Sequence, residues 1–134
     1  MNISLNDKRI SEKSDAFIYL LCKNIKHSYK LPEMVNKRFI GEKNEVMTVI
    51  IDDKLFIVSG LGKDNICDNE SIKKAVTDGL IYAKKLKCKT VSILSNTDSF
   101  KNIKNITETS ILVNYSFNKY KSELNSLENI NIIT

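Results

Sequence analysis

Tryptophan is absent from this chain; histidine and proline occur once each, arginine twice, cysteine three times and glycine four times. A single histidine, His27, excludes a His-rich metal site. Cys22, Cys67 and Cys88 are odd in number and lack C-x-x-C spacing, so free thiols in a reducing compartment are expected rather than a disulfide framework. Apolar runs are short: Ala16–Cys22 falls far below the roughly 18 residues of a membrane span. That run is also too short for a signal-peptide core, and the residues before it are polar and charged. A cytoplasmic protein without a membrane partner is therefore expected. No linker-like or repeated segment interrupts the chain.

What is present fits one soluble domain spanning residues 1–134. Of these residues 42% are hydrophobic and 28% charged, ordinary values for a globular protein. A chain this long buries roughly two-thirds of its unfolded surface, enough for a core without metals or disulfides. The net charge of +5 is spread evenly, with eleven basic against nine acidic residues before Cys67 and ten against seven from Cys67 onward. Nearly all the basic residues are lysines. Specific phosphate and base recognition favours the planar arginine fork, so a solvated surface is expected and nucleic acid is not.

Ile3 and Leu5 alternate with polar neighbours, as in a short strand. Asp15–Cys22 is a continuous apolar run that reads as a buried strand. Lys23–Lys30 is loop-like. Pro32 near a first helical turn opens a short helix that stops around Gly41. Val46–Ile51 and Leu55–Ser59 form an antiparallel hairpin across Asp52-Asp53-Lys54. After the glycine turn at Gly60–Lys63, Asp68 and Asn69 can cap a helix. Its apolar stripe is Ile72, Ala75, Val76, Gly79, Leu80, Ala83 and Leu86. Thr90–Ser95 returns as a strand parallel to Leu55–Ser59. A second helix over about 105–117 has two apolar flanks, one of Ile106, Val113 and Phe117 and one of Ile111, Leu112 and Tyr115, so cover on both sides is expected. Ile130–Ile133 reads as a last strand. The fold class is α/β, a mixed sheet flanked by helices.

Four features offer chemistry. Gly60-Leu61-Gly62-Lys63 resembles a phosphate cradle, but a triphosphate loop needs G-x-x-x-x-G-K-[ST], and Asp64 stands where a hydroxyl should follow the lysine. A dinucleotide fingerprint needs a third glycine and an immediate helix, which Asp64–Cys67 delay. The plainer reading is a strand end whose glycines permit a sharp turn. Asn96-Thr97-Asp98 places a lone carboxylate on a loop, too little to hold a divalent ion against water. His27 lies in a polar loop, and a Cys–His nucleophile would need one of the cysteines beside it. The Lys84–Lys89 cluster sits where a helix carboxyl end favours cations. None of these is a catalytic constellation, and no catalytic, cofactor-binding or metal-ligating residue is assigned.

Several segments, in order, resemble the amino-terminal domain of the leucyl aminopeptidase family. Asp15–Leu21 resembles its early buried strand. Phe39-Ile40-Gly41-Glu42-Lys43-Asn44-Glu45 is similar to its f-x-G-k-x-g-E turn, with Asn44 in place of the usual glycine. Leu55–Lys63 is similar to its v-l-l-v-G-l-G-k strand, Ser71–Leu86 to the helix that follows, and Thr107–Ser122 to a helix ending in Y-x-F-x-x-Y-K. The region between Lys23 and Phe39 is shorter than in the family. The resemblance implies a macro-domain-like fold without catalytic residues. It also implies a parent metallo-aminopeptidase whose catalytic domain, with two zinc or manganese ions, follows Thr134. Asn96-Thr97-Asp98 matches the first letters of that domain's N-T-D-A-E-G-R signature, but Ser99-Phe100 departs from it. The implied partners are the catalytic domain and the other subunits of a hexamer. The alternatives are a macro-like module binding ADP-ribose or another phosphate ligand, and a basic nucleic-acid-binding domain.

Overall fold

The computed structural model of the chain describes residues 2–5, 14–27, 29–97, 99–119 and 129–133. The elements in chain order are β1 (Asn2–Leu5), β2 (Ala16–Cys22), α1 (Glu33–Arg38), β3 (Val46–Ile51), β4 (Lys54–Gly62), α2 (Asn69–Lys85), β5 (Thr90–Ser95), α3 (Phe100–Lys119) and β6 (Asn129–Ile133). A single 3-10 turn, Asp64–Ile66, links β4 to α2.

The six strands form one mixed sheet in the order β1-β6-β5-β2-β4-β3. Only β3 runs antiparallel to its neighbour, β4. β3 and β4 meet at Asp52 and Asp53, both with positive φ (52° and 63°), a two-residue turn whose twist matches that of the strands. Thr90–Ser95 does run parallel to β4, but it does not pair with it. β2 lies between them and pairs in parallel with both.

The α2 and α3 face of the sheet carries the larger core, built on Ile18, Leu20, Ile57, Val91, Ile93, Ile130 and Ile132. Ile72, Val76, Leu80 and Ala83 of α2 and Ile106 and Val113 of α3 complete it. On the opposite face Leu31 and Val35, from the α1 region, cover Tyr19, Leu21, Val58, Leu94 and Ile133. The period-two alternation of β4, with Leu55 and Ile57 on one face and Phe56 and Val58 on the other, supplies both cores at once.

Asp68 caps α2, accepting from the Ser71 N–H at 2.8 Å. At its other end Cys88 N–H reaches the Ala83 carbonyl and Lys87 N–H the Lys84 carbonyl, both at 3.0 Å. With Lys87 at φ 61° this is a left-handed helix stop. It places Lys84–Lys89 at a carbonyl-rich helix end, as the charge argument anticipates.

Three expectations need correction. Leu86 is not on the buried stripe: it is the C-cap residue and 44% exposed. The second long helix begins at Phe100 rather than near Asn105, because Ser99 already serves its first turn, accepting from Ile103 N–H and Asn102 N–H. That helix is not covered on both sides either, since Ile111 and Leu112 are 51% and 59% exposed. The side chains of Tyr115 and Phe117 and the whole of residues 120–122 lie outside the described residues, as does Asp98.

Candidate functional site

In open α/β sheets, ligands bind in the crevice outside the carboxyl ends of the parallel strands. Here β5, β2 and β4 are three of the adjacent parallel strands, ending at Ser95, Cys22 and Gly62. The loops that leave them bring Asn24, Asp64, Asn96 and Thr97 together, and Asn102 joins from the first turn of α3.

These side chains bond to one another. Asp64 Oδ1 accepts from the Thr97 hydroxyl, from Asn102 Nδ2 at 2.9 Å and from the Cys22 thiol at 3.4 Å. Asp64 N–H donates to Asn24 Oδ1 at 2.8 Å. Asn96 accepts from Cys22 N–H at 2.6 Å and donates to the Cys22 and Ile25 carbonyls at 3.1 and 2.7 Å. An anion at this place would meet the free N–H groups of a helix amino terminus, but the carboxylate of Asp64 already stands beside the first turn of α3. Polar groups of the protein bond to one another across this crevice, and Asp64 brings a carboxylate into it.

The glycine motif is ordered by a different contact from the one its pattern indicates. Gly60 and Gly62 do not follow the strand; they are its last residues. The loop 41–45 lies against them: Gly60 N–H donates to the Glu45 carbonyl at 2.7 Å, Gly62 N–H to Gly41 at 3.0 Å, and Asn44 N–H to Gly60 at 3.2 Å. A Cβ on Gly60 would overlap the Glu42 carbonyl and stand 2.8 Å from the Gly41 carbonyl carbon. Gly62 has φ 73° and so retains the turning role expected of it. The loop itself is closed by Glu45, whose Oε1 accepts the N–H groups of Ile40, Gly41 and Glu42 at 2.8–3.2 Å. Asn44 has φ 67°, and asparagine is among the few residues that adopt this conformation readily.

Burial pushes the Cys22 thiol up to about 12, with its bond to Asp64 acting in the same direction. Burial likewise holds Cys67 and Cys88 at about 11. Thiolate is the nucleophile, so none of the three is activated. His27 stacks on Tyr29 with centroids 5.3 Å apart and accepts that residue's N–H, away from any cysteine contact. Among the described residues no three His, Cys, Asp or Glu side chains gather as a metal site. The two divalent ions that the family resemblance implies belong to the catalytic domain and not to these residues. The Asp64 cluster could not be found from sequence, because its members come from segments 33–74 residues apart.

The family model for the N-terminal domain of the cytosol aminopeptidase family matches residues 31–124. The chain belongs to that family. No curated protein matches it by sequence. A solved structure of a tomato leucine aminopeptidase mutant aligns over 100% of this chain and 32% of its own, with a TM-score of 0.70 and 13% identity. The bottromycin maturation enzyme BotP in complex with Mn aligns over 90% of this chain and 26% of its own (TM-score 0.58, 14% identity). The macrodomain of Mycobacterium tuberculosis DarG aligns over 98% of this chain and 97% of its own, with a TM-score of 0.65 and 12% identity. The fold of this aminopeptidase-family domain is thus macro-domain-like. The chain spans about a third of the tomato enzyme. Among the described residues no helix is long and apolar enough to cross a membrane.

Proposed function

We propose that this chain is the assembly unit, without catalytic residues, of a cytosolic metallo-aminopeptidase. Its parent would release amino-terminal residues from peptides at a two-metal centre on a separate carboxyl-terminal domain. Divalent ions there, zinc or manganese, would activate water and polarise the peptide carbonyl. The observation that carries the reading is the family match over residues 31–124, joined to a crevice closed by its own side chains. Apolar side chains on the outer helices support an assembly role. Ile111 and Leu112 on α3, with Ile81 and Leu86 on α2, expose 39–59% of their surface. Single exposed apolar residues are ordinary, but these four would suit cover by a catalytic domain or by subunits of a hexamer.

Two measurements test this. The purified chain, supplied with zinc, manganese or cobalt, is expected to release no p-nitroaniline from leucine p-nitroanilide; turnover would overturn the reading. In the full polypeptide, Ile111→Asp with Leu112→Asp is expected to lower the mass seen by light scattering below that of the hexamer. An unchanged mass, also after deletion of residues 1–134, would remove the assembly role. The alternative, a module for ADP-ribose or another phosphate ligand, has less support, because the Asp64 carboxylate at the strand ends would repel a phosphate there.

A further inference from the structure

Away from the strand-end crevice, a cavity of about 180 Å³ opens between edge strand β3 and helix α2. At ~30 Å³ per water this is room for about six waters, well below the roughly 300–1,000 Å³ of pockets for drug-sized ligands. Its occupant is therefore small.

The lining is of two kinds. Ile57 on the sheet, Ala75 on α2 and Val46 on β3 make an apolar floor and wall, and Tyr82 also lines the cavity. Ser59 and Ser71 line it as well, and both are more than nine-tenths buried (3% and 7% exposed). The Ser71 side chain already hydrogen-bonds Asp68, the residue that caps α2. Lys74 and Asp78 stand one helical turn apart on α2, both lining the cavity and both exposed. At this spacing they could pair with each other, yet no ion pair joins them or links either to another described residue. The third charged side chain at the cavity, Glu45, is already held by three backbone N–H groups.

From this arrangement we propose that the groove binds one free α-amino acid with an apolar side chain. The ligand's carboxylate meets Lys74, its ammonium meets Asp78, and the side chain lies over Ile57 and Ala75. Ser59, which lines the same cavity, sets a hydroxyl beside the head group. A cation and an anion side by side at the mouth of a small apolar pocket match a zwitterion, whereas a fatty acid or an amine would satisfy only one of them. If the chain serves an aminopeptidase, the ligand is the class of product that enzyme releases. That link rests on the function proposed above; the binding itself does not.

The test is a titration of the isotopically labelled 134-residue chain followed by amide NMR shifts. L-leucine is expected to move amides of 45–48, 57–59 and 71–82 and to saturate in the millimolar range or below. 4-Methylpentanoate, which lacks the ammonium, and 3-methylbutylamine, which lacks the carboxylate, are expected to bind more weakly. Lys74→Gln and Asp78→Asn lie on the surface and leave the fold intact. Each is expected to weaken leucine binding about two- to fivefold, the range for exposed charge pairs. Absence of shifts with leucine overturns the proposal. So does equal response to all three compounds, or indifference to both substitutions. Binding of a dileucine-rich peptide alone, with protection of the β3 amides, would reassign the groove to strand addition and also overturn it. None of these outcomes bears on the oligomer measurement, so the two readings fail separately.

Discussion

Gly60 lies against the Glu42 carbonyl so closely that no Cβ fits between them. This contact, together with the hydrogen bonds from Gly60 to Glu45 and from Gly62 to Gly41, ties the glutamate-closed loop 41–45 to the end of β4. The obstructing atoms are backbone, which cannot rotate away. Gly60→Ala is expected to destabilise the domain by about 3 kcal/mol or more, the upper part of the overpacking range. A urea midpoint equal to that of the parent chain would refute the close approach.

Gly79 is a second tight contact of a softer kind. A Cβ there would stand 2.8 Å from Ile18 Cδ1, the far end of a flexible side chain. Gly79→Ala gains up to about 1 kcal/mol of helix propensity while displacing that methyl group, so the two effects nearly cancel. Gly79→Leu has no room and is expected to lose about 1–3 kcal/mol. Denaturation midpoints that rank the two variants the other way would show that α2 is not seated on β2 as described.

Asp64 decides the behaviour of the strand-end crevice toward phosphate. ADP-ribose and ATP are expected to show no calorimetric heat of binding at millimolar concentration, because the carboxylate holds the place that favours an anion. A micromolar dissociation constant abolished by Gly62→Val would promote the ligand-module reading. Asp64→Ala strands Thr97 and Asn102 and should destabilise the fold by about 1–3 kcal/mol.

Asp68 gives an acid dependence. Its bond to Lys43 at 2.6 Å, and then its capping of Ser71, hold its pKa at about 2, below its ordinary value of 3.8. A carboxyl depressed in the folded state stabilises fully above its unfolded pKa and loses that contribution as pH falls through the folded one. The loss therefore falls between about pH 4 and pH 2. Asp68→Asn should flatten that part of a stability-against-pH curve. An identical acid limb in both proteins would show that other carboxylates govern it.

Local patterns carried much of this fold in the sequence itself. The run Ala16–Cys22, the hairpin around Asp52-Asp53 and the stripe from Ile72 to Ala83 are short-range features, written in side-chain period and capping chemistry. Asn44 in place of glycine could also be interpreted locally, since its left-handed φ is a property of one residue and its neighbours. The tertiary structure decided what depends on segments far apart. It inserted β2 between β4 and β5, where a parallel partner on each side pairs both hydrogen-bonding edges of that strand and the two cores cover its faces. It turned Gly60 from a turn residue into a seat for the 41–45 loop, and it gathered Asp64, Thr97, Asn102 and Cys22 from separate loops. Hydrogen bonds and contacts of that range depend on chain crossings, and no periodicity along the sequence encodes where the chain will cross itself.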